Sequence, residues 1–591
     1  MPFQAVQWTS SRSGRNGLLA RKSKGSESFE AAGAAHRPSL PEAPVTRYEH
    51  NAVGRLIARH LPATACAPAI TEHFAWRADG QLASFTSPTA EVRFAFDAAG
   101  RVVRESQSHT NQTADPWHYA CAHRYGLLGQ PEAATYGDAP ECAWLSYGSG
   151  HLHGLRVNGI EIDFERDALH REVSRTLRPD GPALGGAPIL RETRAYTVLG
   201  QLSRSALATP HAAPLIREYA YDAHAHLASI RQRDGAGTRA IAYAYDASGR
   251  LIASQHGAQR HDYRFDPAGN RLDVTTADGT LAAPADDDWA RTVARNLSDP
   301  EFNLLGNRKD GRRTPNTAHW PDNRVTDLAG VSSRFDGAGN LVERTLADGT
   351  RLELGYDGAH RLVALERIAP DGTRTQATYA YDALSRRIAK SVSTGHDIRT
   401  TRYGWDGERL VCEATDTLTT TVLYEPDSFV PLLRIEQDRL EPEDAEDRES
   451  TREERALFTQ MSTLLAEHGL VVPNPFKPEA PTARVSVFVT DHLGTPLRLV
   501  DHNGKTRWAA QPDDWAAVSE ENGVRQPIRF QGQWIDEESG LYYNRYRYYD
   551  PGQSHLHVIT PSSSARNLSD VAASMRLVFM LPLRDVFNRR R

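Results

Sequence analysis

Four groups of residues have types and spacings that chemistry could use. "HLH" occurs at His151/His153 and again at His555/His557; on a strand, i and i+2 place both rings on one face, as a metal ion requires. Asp491 and His492 stand side by side, as two members of a nucleophilic triad would. Asp286, Asp287 and Asp288 form an acidic triplet. Cys66, Cys121, Cys142 and Cys412 complete the set, far apart and without a C-x-x-C pair.

None of these groups is completed. Neither histidine pair has a third ligand at a recognisable spacing, and no Ser or Cys sits in a G-x-S-x-G elbow to serve His492. The Gly and Pro of "DHLGTP" instead make Asp491 the start of a turn. The Asp triplet reads as a helix start, with Asp288 as cap and Trp289, Val293 and Leu297 along one side. The cysteines read as buried or semi-buried thiols in a reducing compartment. No P-loop, dinucleotide-binding glycine pattern or H-E-x-x-H is present. The expectation is therefore no catalytic residue, no cofactor and no metal site.

The elements that would position any site are written in a repeat. "IAYAYDASGRLIAS" at Ile241–Ser254 returns as "FAFDAAGRVV" from Phe94 and "YAYDALSRRI" from Tyr379. Its aromatic anchors include Tyr221, Tyr245, Phe335, Tyr356, Tyr381 and Trp405, with adjacent copies one supersecondary unit apart. Tyr243 and Tyr245 point to one face of a strand and Ala244 to the other. Asp246 begins a turn whose backbone N–H groups its carboxylate can accept. Gly249 suits the φ > 0 position, and Leu251 restarts the next strand on the apolar side. A carboxylate present once per hairpin is a corner, since a catalyst is needed once or twice per site. Ala225, His360 and Ser385 replace the glycine in three copies, so the turn is expected to change type there.

Many short strands and polar turns predict an all-β array of antiparallel hairpins, curling as a single layer with one packed and one wet face. Residues 1–45 form a flexible lead-in. The repeat wall runs over 46–437, with an insertion at 274–333. An acidic linker and helix occupy 438–480, where Thr451 and Glu454 cap a stripe of Leu457, Met461, Leu464 and Leu465. A denser segment covers 481–551, and 552–591 is a different, partly helical tail. A formal net charge of −6 in a chain with 24% charged residues gives no global pull toward nucleic acid. There is no signal-peptide apolar region and no apolar run long enough to span a membrane.

"DHLGTP" at Asp491–Pro496 and "RFQGQWIDEESGLYYNRYRYYDP" at Arg529–Pro551, following the repeats, resemble the Rhs/YD-repeat family of polymorphic toxins. The resemblance covers roughly residues 48–551. It implies a β-shell that spirals around a C-terminal toxin polypeptide, made in the producer's cytoplasm and exported by a dedicated machine, often type VI secretion, in interbacterial competition. Two departures stand out. After Pro551 the family's Gly-Arg-Phe and D-P-x-G-L cleavage motif are missing, and no PAAR-like tip or transmembrane pair precedes the repeats. A frameshift or recombination near Pro551 is the expectation, with no self-cleavage; Asp550 belongs to the preceding motif, and Asp570 and Asp585 are the only candidates in the tail. The partners implied are a toxin polypeptide or another Rhs fragment and a secretion-machine component, with self-association through open edges. Three readings stand: a non-enzymatic shell or delivery component of an incomplete copy, a repeat surface that binds carbohydrate or protein, or an enzyme through a toxin activity in the tail.

Overall fold

The computed structural model describes residues 45–110, 117–148, 150–179, 188–265, 271–272, 324–426, 428–439, 483–553 and 555–558. Every element in them is a strand, 41 in all. Both helices expected from the sequence, the tail beyond Val558, and Asp570 and Asp585 lie outside these residues, while the tail's start at His555–Val558 is a strand.

Each strand of the first sheet, from β1 (Arg47–His50) to β19 (Gln259–Asp262), pairs antiparallel with the next in sequence. The second sheet does the same from β22 (Asp327–Leu328) to β36 (Val518–Gly523). It thus resumes six residues inside the expected 274–333 insertion. A small sheet ends the described residues: β37 (Ile528–Phe530), β38 (Gln533–Asp536), β39 (Leu541–Asn544), β40 (Arg547–Asp550) and β41 (His555–Val558). The dense segment at 481–551 is therefore split between the end of the second sheet and the small one.

The hairpin between β17 (Gly237–Tyr245) and β18 (Leu251–His256) shows how the repeat folds. The Asp246 carbonyl accepts the Gly249 N–H at 2.9 Å, and Asp246 Oδ1 accepts the N–H groups of Ser248 and Arg250, both at 2.9 Å. Arg250 Nε donates to Oδ2 at 2.6 Å. Asp97, Asp336, Asp357 and Asp382 repeat the pattern, so these carboxylates are corners. Asp406 is the exception. It sits in a tighter hairpin opposite Arg409, and its carboxylate reaches His123 instead.

The turn does not change type where glycine is absent. Ala225, His360 and Ser385 take φ of 69°, 60° and 60°, against 79° for Gly249, and keep the same backbone hydrogen bonds. The carboxylate's two N–H bonds hold a left-handed residue that its own preference disfavours.

Consecutive repeats are riveted in two ways. The motif tyrosine's hydroxyl donates to the carbonyl of the strand-restart residue of the preceding repeat: Tyr245 to Leu227 at 3.0 Å, Tyr356 to Leu341 and Tyr381 to Leu362 at 2.8 Å. The motif arginine lies over the next repeat's ring, with Arg101 4.7 Å from Tyr125 and Arg171 4.6 Å from Tyr196.

The two sheets are successive coils of one spiral. Thr64 Oγ1 donates to the Tyr356 carbonyl at 2.7 Å, Glu105 pairs with Arg386 at 2.7 Å, His123 with Asp406 at 3.0 Å, and Tyr263 bonds Asp514 at 2.7 Å. Partners advance together along both sheets at separations of 292, 281, 283 and 251 residues. Parallel advance at a nearly constant offset is the signature of stacked coils. A large apolar cluster crosses this seam, joining Cys121, Leu155 and Ile162 to Trp405, Leu433 and Trp508.

Candidate functional site: a buried clasp under the small sheet

The strongest concentration of buried charge lies where the small sheet meets β27 (Arg374–Tyr381) and β28 (Arg387–Thr394). In "YAYDALSRRIAKS" the corner arginine is Arg386, so Arg387 falls at the restart position that Leu251 fills in the copy described above. The apolar side of the strand thus carries a guanidinium, with Lys390 three residues on.

Both are buried and both are paired. Arg387 bonds Asp536, and its amide donates to the Tyr543 hydroxyl at 3.0 Å. Lys390 Nζ donates to Asp536 and Glu538, each at 3.0 Å. The Tyr379 hydroxyl donates to Glu538 at 2.8 Å, and Arg387 Nη1 donates to the Tyr548 hydroxyl at 3.2 Å. The Arg387 guanidinium stands 4.0 Å from the Tyr543 ring centre and 5.0 Å from that of Tyr403.

Burial works against the Asp536 carboxylate, but Arg387 and Lys390 outweigh it and hold its pKa below the usual range. Burial would likewise lower Lys390; the charges of Asp536, Tyr403 and Glu538 reverse this and raise it. Burial pushes the Tyr379 and Tyr548 hydroxyls well up. With the Asp536 carboxyl held down and Lys390 held up, this pair is locked in charge, which suits a clasp; a general acid or base needs a pKa near the working pH.

The clasp also fixes curvature. β35 (Thr506–Pro512) lies seven strands from β28, about 33 Å away in a flat sheet. Yet the small sheet, clasped to β28, also bonds the turns beside β35: Tyr542 to the Ala516 carbonyl at 3.0 Å and Tyr549 to that of Trp515 at 3.0 Å. The second coil must curl around the small sheet. Asp550 joins in through buried Arg344, at 2.6 Å, and accepts the Gly552 N–H at 3.0 Å.

The residues singled out from sequence are not brought to one place. His151 stacks on His170 with 3.8 Å between ring centres, and Tyr147 lies against both His151 and His153. Among the described residues no three His, Cys, Asp or Glu side chains gather as a metal site. The His555 and His557 side chains and Asp286–Asp288 lie outside the description. Asp491 caps its own turn through the N–H groups of Leu493 and Thr495, both at 2.8 Å. His492 is half-buried against Tyr219, and the loss of solvent around its ring lowers its pKa. Cys121, Cys142 and Cys412 are buried as expected, whereas Cys66 is exposed.

Comparison with known proteins places two family models on the chain: RHS protein over residues 487–522 and RHS Repeat over residues 335–374. Toxin protein Tse5 of Pseudomonas aeruginosa is 44% identical over 500 residues, covering 84% of this chain and 36% of that protein. Double-stranded DNA deaminase toxin A of Burkholderia cenocepacia is 29% identical over 532 residues, covering 86% of this chain and 30% of that protein. The chain thus spans about a third of the length of these curated relatives. Among solved structures, the Photorhabdus luminescens Tc holotoxin pore aligns at a TM-score of 0.46 with 13% identity, over 88% of this chain and 25% of the other.

Proposed function

This chain belongs to the RHS family, and from that premise we propose that it is the non-enzymatic wall of an Rhs-type polymorphic toxin, used in interbacterial competition. Its relatives carry toxin names, and a toxin-related role follows from them. The finer reading rests on one observation: two stacked coils of hairpins curl around a small sheet that buried ion pairs hold in place. A continuous meander that curls on itself is suited to surrounding another polypeptide. On this reading the wall shelters a toxin polypeptide, folds in the producer's cytoplasm, and leaves through a dedicated secretion machine such as type VI.

The test is shielding. An inactive ribonuclease variant fused after Arg591 of the full chain should resist trypsin far longer than the same ribonuclease alone. Digestion of the fusion partner at the free rate would sink the proposal. Expression of the chain in a sensitive bacterium should leave growth unchanged; arrest would favour the enzyme reading.

A further inference from the structure

The seam between the coils is held by a charge pair at one hairpin end after another. Across it Arg361 meets Glu72 at 3.0 Å, Arg386 meets Glu105 at 2.7 Å and His123 meets Asp406 at 3.0 Å. Further along, Arg175 meets Glu425 at 2.6 Å and His256 meets Asp514 at 3.1 Å. Between these last two comes the turn Asp491–Thr495, joining β33 (Arg484–Thr490) to β34 (Pro496–Asp501). It meets β15 (Ala212–Tyr221), where the Tyr219 ring lies 5.1 Å from that of His492. A base and an acid are present here too, as Arg217 and Asp491, and the charge of each is felt at both rings. Yet they do not pair, because Asp491 Oδ1 is taken by the N–H groups of Leu493 and Thr495, both at 2.8 Å.

Arg217 is 8% exposed, and neither its Nε nor its Nη1 has a hydrogen-bond partner. Its guanidinium stands 5.6 Å from the Tyr219 ring centre. The hydroxyl of Tyr219, a residue 5% exposed, and His492 Nδ1 are likewise buried without a partner. Arg217's cross-strand neighbours are committed elsewhere: Ser205 donates to Glu192 and Gln232 to Asp234, each at 3.1 Å. Arg175, buried in the same coil, shows what a guanidinium in this wall requires, since it holds Glu172 at 2.9 Å and Glu425 at 2.6 Å.

The chemistry left over defines the partner. Two guanidinium N–H groups and a phenolic O–H stand together as donors, and His492 adds another in its Nδ1–H tautomer. An anion accepts from all of them. Water would leave the buried guanidinium charge uncompensated, which is the costly part of burying it. The orphaned atoms are shut in where the coils meet, which suits a single-atom ion rather than a bulky oxyanion or a further stretch of chain. His492, the half-buried member, marks the side from which it enters. We propose that Arg217, Tyr219 and His492 bind a halide ion between the coils, completing the seam where its own residues leave a guanidinium unpaired. Closure of the wall then depends on which anion is present, and not only on ionic strength.

At fixed ionic strength, replacing sodium gluconate by sodium chloride should raise the melting temperature of the full chain along a saturating curve. Tyr219→Phe, which removes one donor, should need about tenfold more chloride for the same rise. Arg217→Met, which keeps a long side chain without the charge, should abolish the rise; if that variant does not fold, Tyr219→Phe decides. Crystals grown in bromide should show anomalous scattering beside Arg217 and Tyr219. Equal melting in the two salts, a chloride effect that either substitution leaves unchanged, or a bromide peak only elsewhere would overturn the site. So would an Asp491 carboxylate turned onto Arg217 in those crystals, since the pair would then be direct.

Discussion

Asp97 and Asp382 occupy the same corner of the same hairpin, yet their surroundings give them different weights. The backbone N–H of Arg101 holds the Asp97 carboxyl below its usual range, with the Arg101 side chain adding to it, but water reaches this turn. Asp382 is fully buried and accepts the N–H groups of Leu384 and Arg386, both at 2.9 Å, and Arg386 Nε at 2.7 Å. Asp382→Ala strands two amides and a buried guanidinium. We expect it to destabilise by about 3–5 kcal/mol, read as a lower urea midpoint. Asp97→Ala should shift the midpoint far less, because solvent replaces the lost partner. Tyr381→Phe, which removes only the hydroxyl on the Leu362 carbonyl, should cost about 1 kcal/mol. At this scale the sequence is readable as far as local geometry goes. The corner Asp follows from turn chemistry alone, but the burial that separates Asp382 from Asp97 comes from a coil some 280 residues away.

Hairpins in this wall touch their neighbours first, so an element's stability is largely set by the rivets on either side. The small sheet departs from that rule, because its hold is concentrated in the Arg387–Asp536–Lys390–Glu538 clasp. Asp536→Ala leaves two buried cations facing Glu538 alone, a cost of about 3–5 kcal/mol that falls on one contact. Hydrogen exchange should then accelerate in residues 541–550 while the first sheet keeps its protection. Uniform loosening of both sheets would instead show that the small sheet is part of one cooperative unit with the wall. The strands and their order were legible in the alternation of "YAYDA" and its copies. The clasp was visible only as an anomaly, an Arg where other copies place an apolar residue, and naming its partners needed the long-range fold. Asp406 misled for the converse reason: its motif matches, but Gly407 at φ 56° shortens the hairpin and frees the carboxylate for His123.

The whole molecule depends on the seam between coils, and that seam contains histidines with opposed demands. Burial lowers His109 from 6.5 to about 3; its ring packs 5.0 Å from Trp117. The unfolded chain binds that proton below pH 6.5 and the folded chain does not until about pH 3. Stability is therefore lost as pH falls through this window, at about 1.4 kcal/mol per pH unit from His109. His492, lowered by burial at another point where the coils meet, adds to the same trend. His123 has the reverse sign. Burial would depress it, but the hydrogen bond and charge of Asp406 raise it above 6.5, so its contribution is complete below pH 6.5 and lost as pH rises through the raised value. Glu105, pushed up by burial despite Arg386, opposes the acid trend only nearer its own ordinary range of 4.5. The melting temperature should therefore peak close to neutrality and fall on both sides. Scanning calorimetry from pH 4 to pH 9 should show the acid limb flattened in His109→Phe, whose ring keeps the Trp117 contact without a proton to bind, and the alkaline limb flattened in His123→Gln. An acid limb as steep in His109→Phe as in the wild type would show that acid opens the wall elsewhere than at this seam.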